Sequence, residues 1–231
     1  MKKIIEMLKK IPKWGWVMGV VYFAAQYGIY RLANWLSVVL GTVSWAIEPK
    51  IPFIDNLFPV IPVFAVPYLY SYIFWLMAPA VVSITKKRHF INYIYGLTLA
   101  YAIGFLIFLF LPTYMDRVAE GLTEYMNRPG IFYGMLNSIY AADGMERAFN
   151  LFPSYHCLIS AYCYLGVRNQ PEIPKSFRVY SFIMFVLIVL STLFTKQHYI
   201  LDCIGGIAIA YGCDALMNKL DPGKKYEAEG Q

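Results

Sequence analysis

Apolar positions along this chain gather into blocks instead of alternating with polar ones, and the blocks are long. A hydrocarbon core about 30 Å thick needs roughly 20 apolar residues in a helix. Six blocks come near that length: Trp14–Ser37 (interrupted by Arg31), Val63–Ile84, Phe90–Leu111, Ser154–Val167, Val179–Phe194 and Tyr199–Met217. The fourth is short for a span. The pattern predicts an all-α fold, an integral membrane bundle of six transmembrane helices over residues 14–218. A basic segment, 1–13, precedes it and a polar tail, 219–231, follows, with disorder expected from Asp221 onward. Between the third and fourth blocks lies Pro112–Pro153, about 40 residues without a strong apolar span. It reads as a long external loop between helices 3 and 4, and loops of that length tend to be functional.

Composition strengthens the membrane reading. The 231 residues are 59% hydrophobic and 15% charged, with a mean hydropathy of +0.50. A soluble domain runs nearer half apolar and about a quarter charged, so the excess apolar residues fit a lipid-facing surface. The net charge of +6 does not imply nucleic acid, because the basic residues lie between apolar spans, where they meet anionic headgroups. With the N-terminus in the cytoplasm, 14 of the 20 Lys and Arg residues fall on that side. The other six (Arg31, Lys50, Arg117, Arg128, Arg147 and Lys196) fall outside. This bias predicts a multi-pass protein with both termini cytoplasmic. No cleavage site and polar mature region follow the first apolar run, so it reads as an uncleaved span. Cys157, Cys163, Cys203 and Cys213 sit inside apolar stretches without metal-ligand spacing and read as small buried hydrophobes.

Three histidines remain to be placed. His89 follows Lys86-Lys87-Arg88 and reads as an interfacial residue without a catalytic role. His156 and His198 begin the fourth and sixth blocks, which the topology puts at one external face. Asp202 stands four residues after His198, one helical turn along the same face, where its carboxylate can orient the imidazole. An ionisable residue in a span is a functional candidate by default; the alternative is a His–Asp pair that merely satisfies itself. Ser154 is a candidate N-cap, and the free N–H groups of the turn it opens favour an anion beside His156. Arg117 and Lys196 add positive charge on the same side. This set fits phosphoryl transfer better than acyl transfer, and no Gly-x-Ser-x-Gly elbow or Gly-rich nucleotide loop is present. A facial metal triad of His156, His198 and Asp202 is the rival reading.

Pro153-Ser154-Tyr155-His156 resembles the Pro-Ser-x-His motif of the type-2 phosphatidic acid phosphatase superfamily, and His198-Tyr199-Ile200-Leu201-Asp202 resembles its final motif. The lead-in from Ile139-Tyr140-Ala141-Ala142-Asp143 through Asn150-Leu151-Phe152-Pro153 is similar too, and the resemblance covers roughly residues 50–217. It implies His198 as nucleophile on phosphorus, Asp202 as its orienter and His156 as the group that protonates the leaving alkoxide. Ser154, Tyr155, Lys196 and Arg117 are then expected at the phosphate, with Arg128 as the alternative match to Arg117. The family's Lys, six residues, Arg-Pro pattern is broken here, since Val118 follows Arg117 and Gly121 stands seven before Arg128. Its Ser-Arg pair reads Ser191-Thr192. This looser pattern resembles the branch of sphingomyelin and inositol phosphorylceramide synthases. The resemblance implies a lipid phosphatase acting on a phosphomonoester or pyrophosphate at the external face, without metal or other cofactor. Its partners are a membrane lipid phosphate and the bilayer, not nucleic acid. The alternatives are a phosphotransferase moving a headgroup between lipids and a non-catalytic transport or scaffold protein.

Overall fold

The computed structural model describes residues 2–227. Among the described residues, nine α-helices carry most of the chain: α1 (Lys2–Lys9), α2 (Lys13–Val39), α3 (Pro52–Asp55), α4 (Ala65–Val82), α5 (Lys87–Phe110), α6 (Ile131–Asp143), α7 (Tyr155–Val167), α8 (Lys175–Phe194) and α9 (Ile200–Leu220). Strands β1 (Tyr114–Asp116) and β2 (Arg147–Phe149) form one small antiparallel pair. Pro12, in an extended conformation, separates α1 from α2; proline suits the boundary because its fixed φ and missing N–H cost nothing there.

Four helical stretches, Pro62–Val82, Lys87–Phe110, Lys175–Phe194 and Ile200–Leu220, are long and apolar enough to cross a membrane. They correspond to the second, third, fifth and sixth expected spans. The other two differ for physical reasons. Helix α2 has 27 residues, ample length, but Gln26, Arg31, Asn34 and several tyrosines and glycines dilute its hydropathy. Helix α7 has 13 residues, which at 1.5 Å rise gives about 20 Å, short of a hydrocarbon core. Its brevity goes with its position. Helix α7 packs against α4, α5, α8 and α9, and nearly all of its residues are buried.

Small residues set how closely these helices approach. A methyl group on Gly206 of α9 would collide with the Ser154 carbonyl at the start of α7, and one on Gly19 of α2 would collide with the Leu76 carbonyl of α4. The four cysteines are free and buried.

Hydrogen bonds identify which helix ends lie together. At one end, His89 Nε2 faces the Gly166 carbonyl of α7 at 2.7 Å. There Arg88 pairs with Asp221, which also accepts from Asn92 at 2.9 Å. The Gly223 N–H donates to Asn92 at 2.7 Å and Arg88 bonds Glu227 at 3.1 Å. Residues 221–227 are therefore docked on α5, where the sequence suggests disorder; their ion pairs are long-range and leave no local signal. Residues 228–231 lie outside the described part.

At the opposite end, the segment between α5 and α7 is a packed cap and not an open loop. Tyr114 pairs with Phe149, Met115 with Ala148 and Asp116 with Arg147. Met115, Leu122, Leu136, Tyr140, Ala148, Leu151 and Tyr199 make a second small core. Ile139 of α6 packs with Ala65 and Tyr68 of α4. Thr113 ties the cap to the approach to α7: its hydroxyl accepts from the N–H groups of Leu151 and Phe152 at 2.9 and 2.8 Å.

Candidate active site

The start of α9 is built from three directions. Helix α8 ends at Phe194, and Lys196 adopts a left-handed φ of 50°. The turn lets the N–H groups of Gln197 and His198 both reach the Thr192 carbonyl, at 2.9 and 3.2 Å. His198 then stands just outside α9. Asp202, in the first turn, accepts the Tyr199 N–H at 2.8 Å, a capping bond that satisfies one of the helix's free donors. The same carboxylate oxygen faces His198 Nδ1 at 3.4 Å. Asp202 is fully buried, and its second oxygen has no partner. Such a contact holds the imidazole with Nδ1 turned to the carboxylate and leaves Nε2 for the space beyond. Asp55 closes the third side. One of its oxygens accepts the Ile200 N–H at 2.8 Å and the other the Ile51 N–H at 2.6 Å.

Helix α7 begins alongside. Ser154 is its N-cap, with Oγ accepting the Cys157 N–H at 3.3 Å. The Ser154 N–H donates to the Asp202 carbonyl at 3.0 Å, locking the first turns of α7 and α9 together. His156, in the first turn, stacks on Tyr68 at 4.1 Å between ring centroids and meets Trp75 edge-on at 4.8 Å. Trp75 is itself fixed by a 2.9 Å hydrogen bond to Ser160. His156 Nε2 is buried and has no partner. The two imidazole centroids lie 6.1 Å apart, too far for a direct hydrogen bond and wide enough for a group to stand between them.

Both histidines line one cavity of about 300 Å³. Its wall also includes Arg31, Tyr68, Asp143, Tyr155 and Gln197. The Tyr30 hydroxyl donates to Asp143 at 3.4 Å and to the Phe149 carbonyl at 3.3 Å. Burial pushes the Asp143 carboxyl above the ordinary carboxylate range, against the pull of Arg117.

The residues expected at the phosphate are placed unequally. Tyr155 lines the cavity, but its hydroxyl donates to the Tyr101 carbonyl at 2.9 Å. Ser154 is fully buried in its capping role. Arg117 is fully buried and does not line the cavity. Its guanidinium donates to the carbonyls of Tyr140, at 3.1 Å, and Gly144, and to Gln197 Oε1 at 3.0 Å, and it lies over the Tyr140 ring. Lys196 reaches away to the Asp55 carbonyl at 2.8 Å. Arg128 is exposed and bonded to Glu124 of its own turn. Among the described residues, no group of three His, Cys, Asp or Glu side chains is arranged to hold a metal ion. The facial triad therefore has no geometric support.

The sequence assigns no site role to Arg31, Asp55, Asp143, Gln197 or the ring pair Tyr68 and Trp75. Arg31 carried a usable signal, an ionisable side chain interrupting an apolar block. Asp143 closes the first stretch of the family-like lead-in, and the remaining four have no signal, since their roles come from contacts with distant parts of the chain.

Residues 52–216 match a family model described as the PAP2 superfamily. No match was found among curated proteins or among solved structures.

Proposed function

The chain belongs to the PAP2, or type-2 phosphatidic acid phosphatase, superfamily, and on that premise we propose that it is a membrane lipid phosphatase. Superfamily membership supports phosphatase-type chemistry on phosphoesters in general. The substrate proposed here is a lipid phosphomonoester or pyrophosphate. The observation that carries the reading is that His156 and His198 line one cavity, with the Asp202 carboxylate behind His198.

In the first step, the Nε2 lone pair of His198 attacks phosphorus. The bond from phosphorus to the lipid oxygen breaks, and its electron pair leaves on that oxygen. Protonated His156 gives its proton to the departing alkoxide, and neutral His156 remains. Asp202 stabilises the positive charge that builds on His198. In the second step, His156 takes a proton from water as the water oxygen attacks the phosphohistidine, the P–N bond breaks and His198 is regenerated. The packing of His156 between Tyr68 and Trp75 suits this role, because aromatic faces and edges fix the ring without occupying either nitrogen.

Six passes, made by α2, α4, α5, α7, α8 and α9, would put the starts of α7 and α9 at the same face. The distribution of Lys and Arg makes that face external, with both termini cytoplasmic. Apolar tails then stay in the bilayer while the phosphate enters the cavity. A second reading, headgroup transfer to a lipid alcohol, uses the same steps with the alcohol replacing water. The broken arginine pattern supports keeping it.

The test is a panel of phosphatidic acid, phosphatidylglycerophosphate, undecaprenyl pyrophosphate and a choline lipid, assayed for both phosphate and headgroup release. Phosphate release from at least one member, lost in His198→Asn, is the expected result. Headgroup transfer outrunning hydrolysis when a lipid alcohol is supplied would favour the second reading. No release or transfer from any member would count against both.

A further inference from the structure

The cations expected at the phosphate are committed elsewhere, which leaves the cavity's anion-binding charge unassigned. Arg117 donates from its terminal nitrogens to Tyr140, Gly144 and Gln197 and does not line the cavity, Lys196 is bound to the Asp55 carbonyl, and Arg128 is bound to Glu124. Among the described residues that line the cavity, one lysine or arginine is present, and it is Arg31 of α2. Its side chain is exposed and takes part in no hydrogen bond or salt bridge among those described. Asp143 lines the same cavity and feels the positive charge of Arg31, without a direct ion pair between them. Two imidazoles and an arginine without a hydrogen-bond partner thus line one cavity.

We infer that Arg31 is the side chain that binds the phosphate of the substrate in this cavity. The inference rests on the phosphoryl-transfer reading above and adds a residue that its sequence motifs do not contain. A guanidinium presents a planar fork of N–H donors that matches two phosphate oxygens at once. Placed on α2, it can hold the non-bridging oxygens while His198 approaches phosphorus. It also accounts for an arginine inside an apolar block, where a bare charge is costly. The bland explanation is a long side chain snorkelling to lipid headgroups. That explanation requires no link between Arg31 and phosphate in the cavity.

Inorganic phosphate is the probe, used on the full chain in nanodiscs. Isothermal titration should show Arg31→Gln weakening phosphate binding about tenfold or more, with Arg31→Lys recovering part of the loss, as expected when a bidentate charged contact is removed. KM for the best lipid phosphate should rise with it, and kcat should fall less. In the unaltered protein, phosphate should also protect Arg31 from modification by phenylglyoxal, read by peptide mass spectrometry. This arm needs no variant and so does not depend on Arg31→Gln folding. Unchanged phosphate affinity and KM in folded Arg31→Gln, or modification of Arg31 at a rate indifferent to saturating phosphate, would overturn the inference. In that case a dead His198→Asn variant would leave the proposed function standing. An active His198→Asn would instead remove the proposed function, whatever Arg31 does.

Discussion

His198 and Asp202 are joined across one helical turn, at a site made mostly from its own neighbours in sequence. Arg117, hydrogen-bonded to Gln197 next to His198 in the chain, is held by carbonyls and an amide that lie 23, 27 and 80 residues along the chain. Both are charged or chargeable groups taken out of water near the same cavity. The first keeps a ring nitrogen free for chemistry, whereas the second uses its charge to fasten α6, the turn after it and the approach to α9. Burying a cation is costly unless its donors are matched; both terminal nitrogens of Arg117 are matched within the protein and only Nε, buried with them, has no partner, which leaves little for a ligand. An arginine's place in a motif therefore does not say whether it serves substrate or structure; its hydrogen bonds do.

Variants can separate the two regions by what they damage. The largest effect is expected from His198→Ala, which should lower kcat by at least ~10³-fold, about 4 kcal/mol, with thermal stability in detergent nearly unchanged. A variant that lost stability in proportion to activity would erase the distinction. Arg117→Ala should do the reverse. It strips the donors from Gln197 and from the carbonyls of Tyr140 and Gly144, and is expected to cost roughly 3 kcal/mol of stability. KM of the surviving folded protein should move by less than about threefold; a selective rise in KM would make Arg117 a substrate ligand after all.

Asp202→Asn should reduce kcat on the order of 10²-fold, about 2.7 kcal/mol, because the amide can present an N–H to His198 in place of the carboxylate. Kinetics at several pH values would show the effect in kcat more than in KM. A smaller change is expected from Asp143→Asn. Burial raises the Asp143 carboxyl above its ordinary value near 3.8, so the folded protein holds that proton more tightly than the unfolded chain. That stabilisation is complete below the unfolded value and is lost as pH rises through the folded one. Compared with the unaltered protein, the asparagine variant should therefore fare better at neutral pH than at pH 4, as read in paired thermal melts. Arg128→Gln, last, breaks an exposed i,i+4 pair with Glu124 and should change stability by under about 0.5 kcal/mol.

The same contrast explains what could be read from the sequence. The i,i+4 spacing of His198 and Asp202 and the Pro-Ser start of α7 are local patterns, and the structure builds the expected turn, N-cap and neighbouring helix starts on them. The apolar blocks at 63–84, 90–111, 179–194 and 199–217 were legible because hydropathy needs no partner. Helix α7 was harder, since its burial within the bundle, and not contact with lipid, accounts for its apolar run. The cap over residues 112–153 was illegible. It combines three-residue strands, a 13-residue helix and a threonine clamp, none long enough to impose a period. Arg31 was visible as an interruption, yet nothing in one dimension says that α2 brings it to the wall shared by His156 and His198.

The most direct test of the account is to catch phosphate on the nucleophile. The full-length protein would be mixed with a phosphorus-labelled lipid phosphate that it turns over, quenched in alkaline detergent within one turnover, digested and read by peptide mass spectrometry. The account predicts acid-labile phosphate on His198, absent from His198→Ala and, in His156→Asn, both slower to form and slower to be hydrolysed, because the proton donor of the first step and the base of the second are lost together. Single-turnover product release with no phosphate on His198 at any quench time, or with the label on another residue, would contradict it.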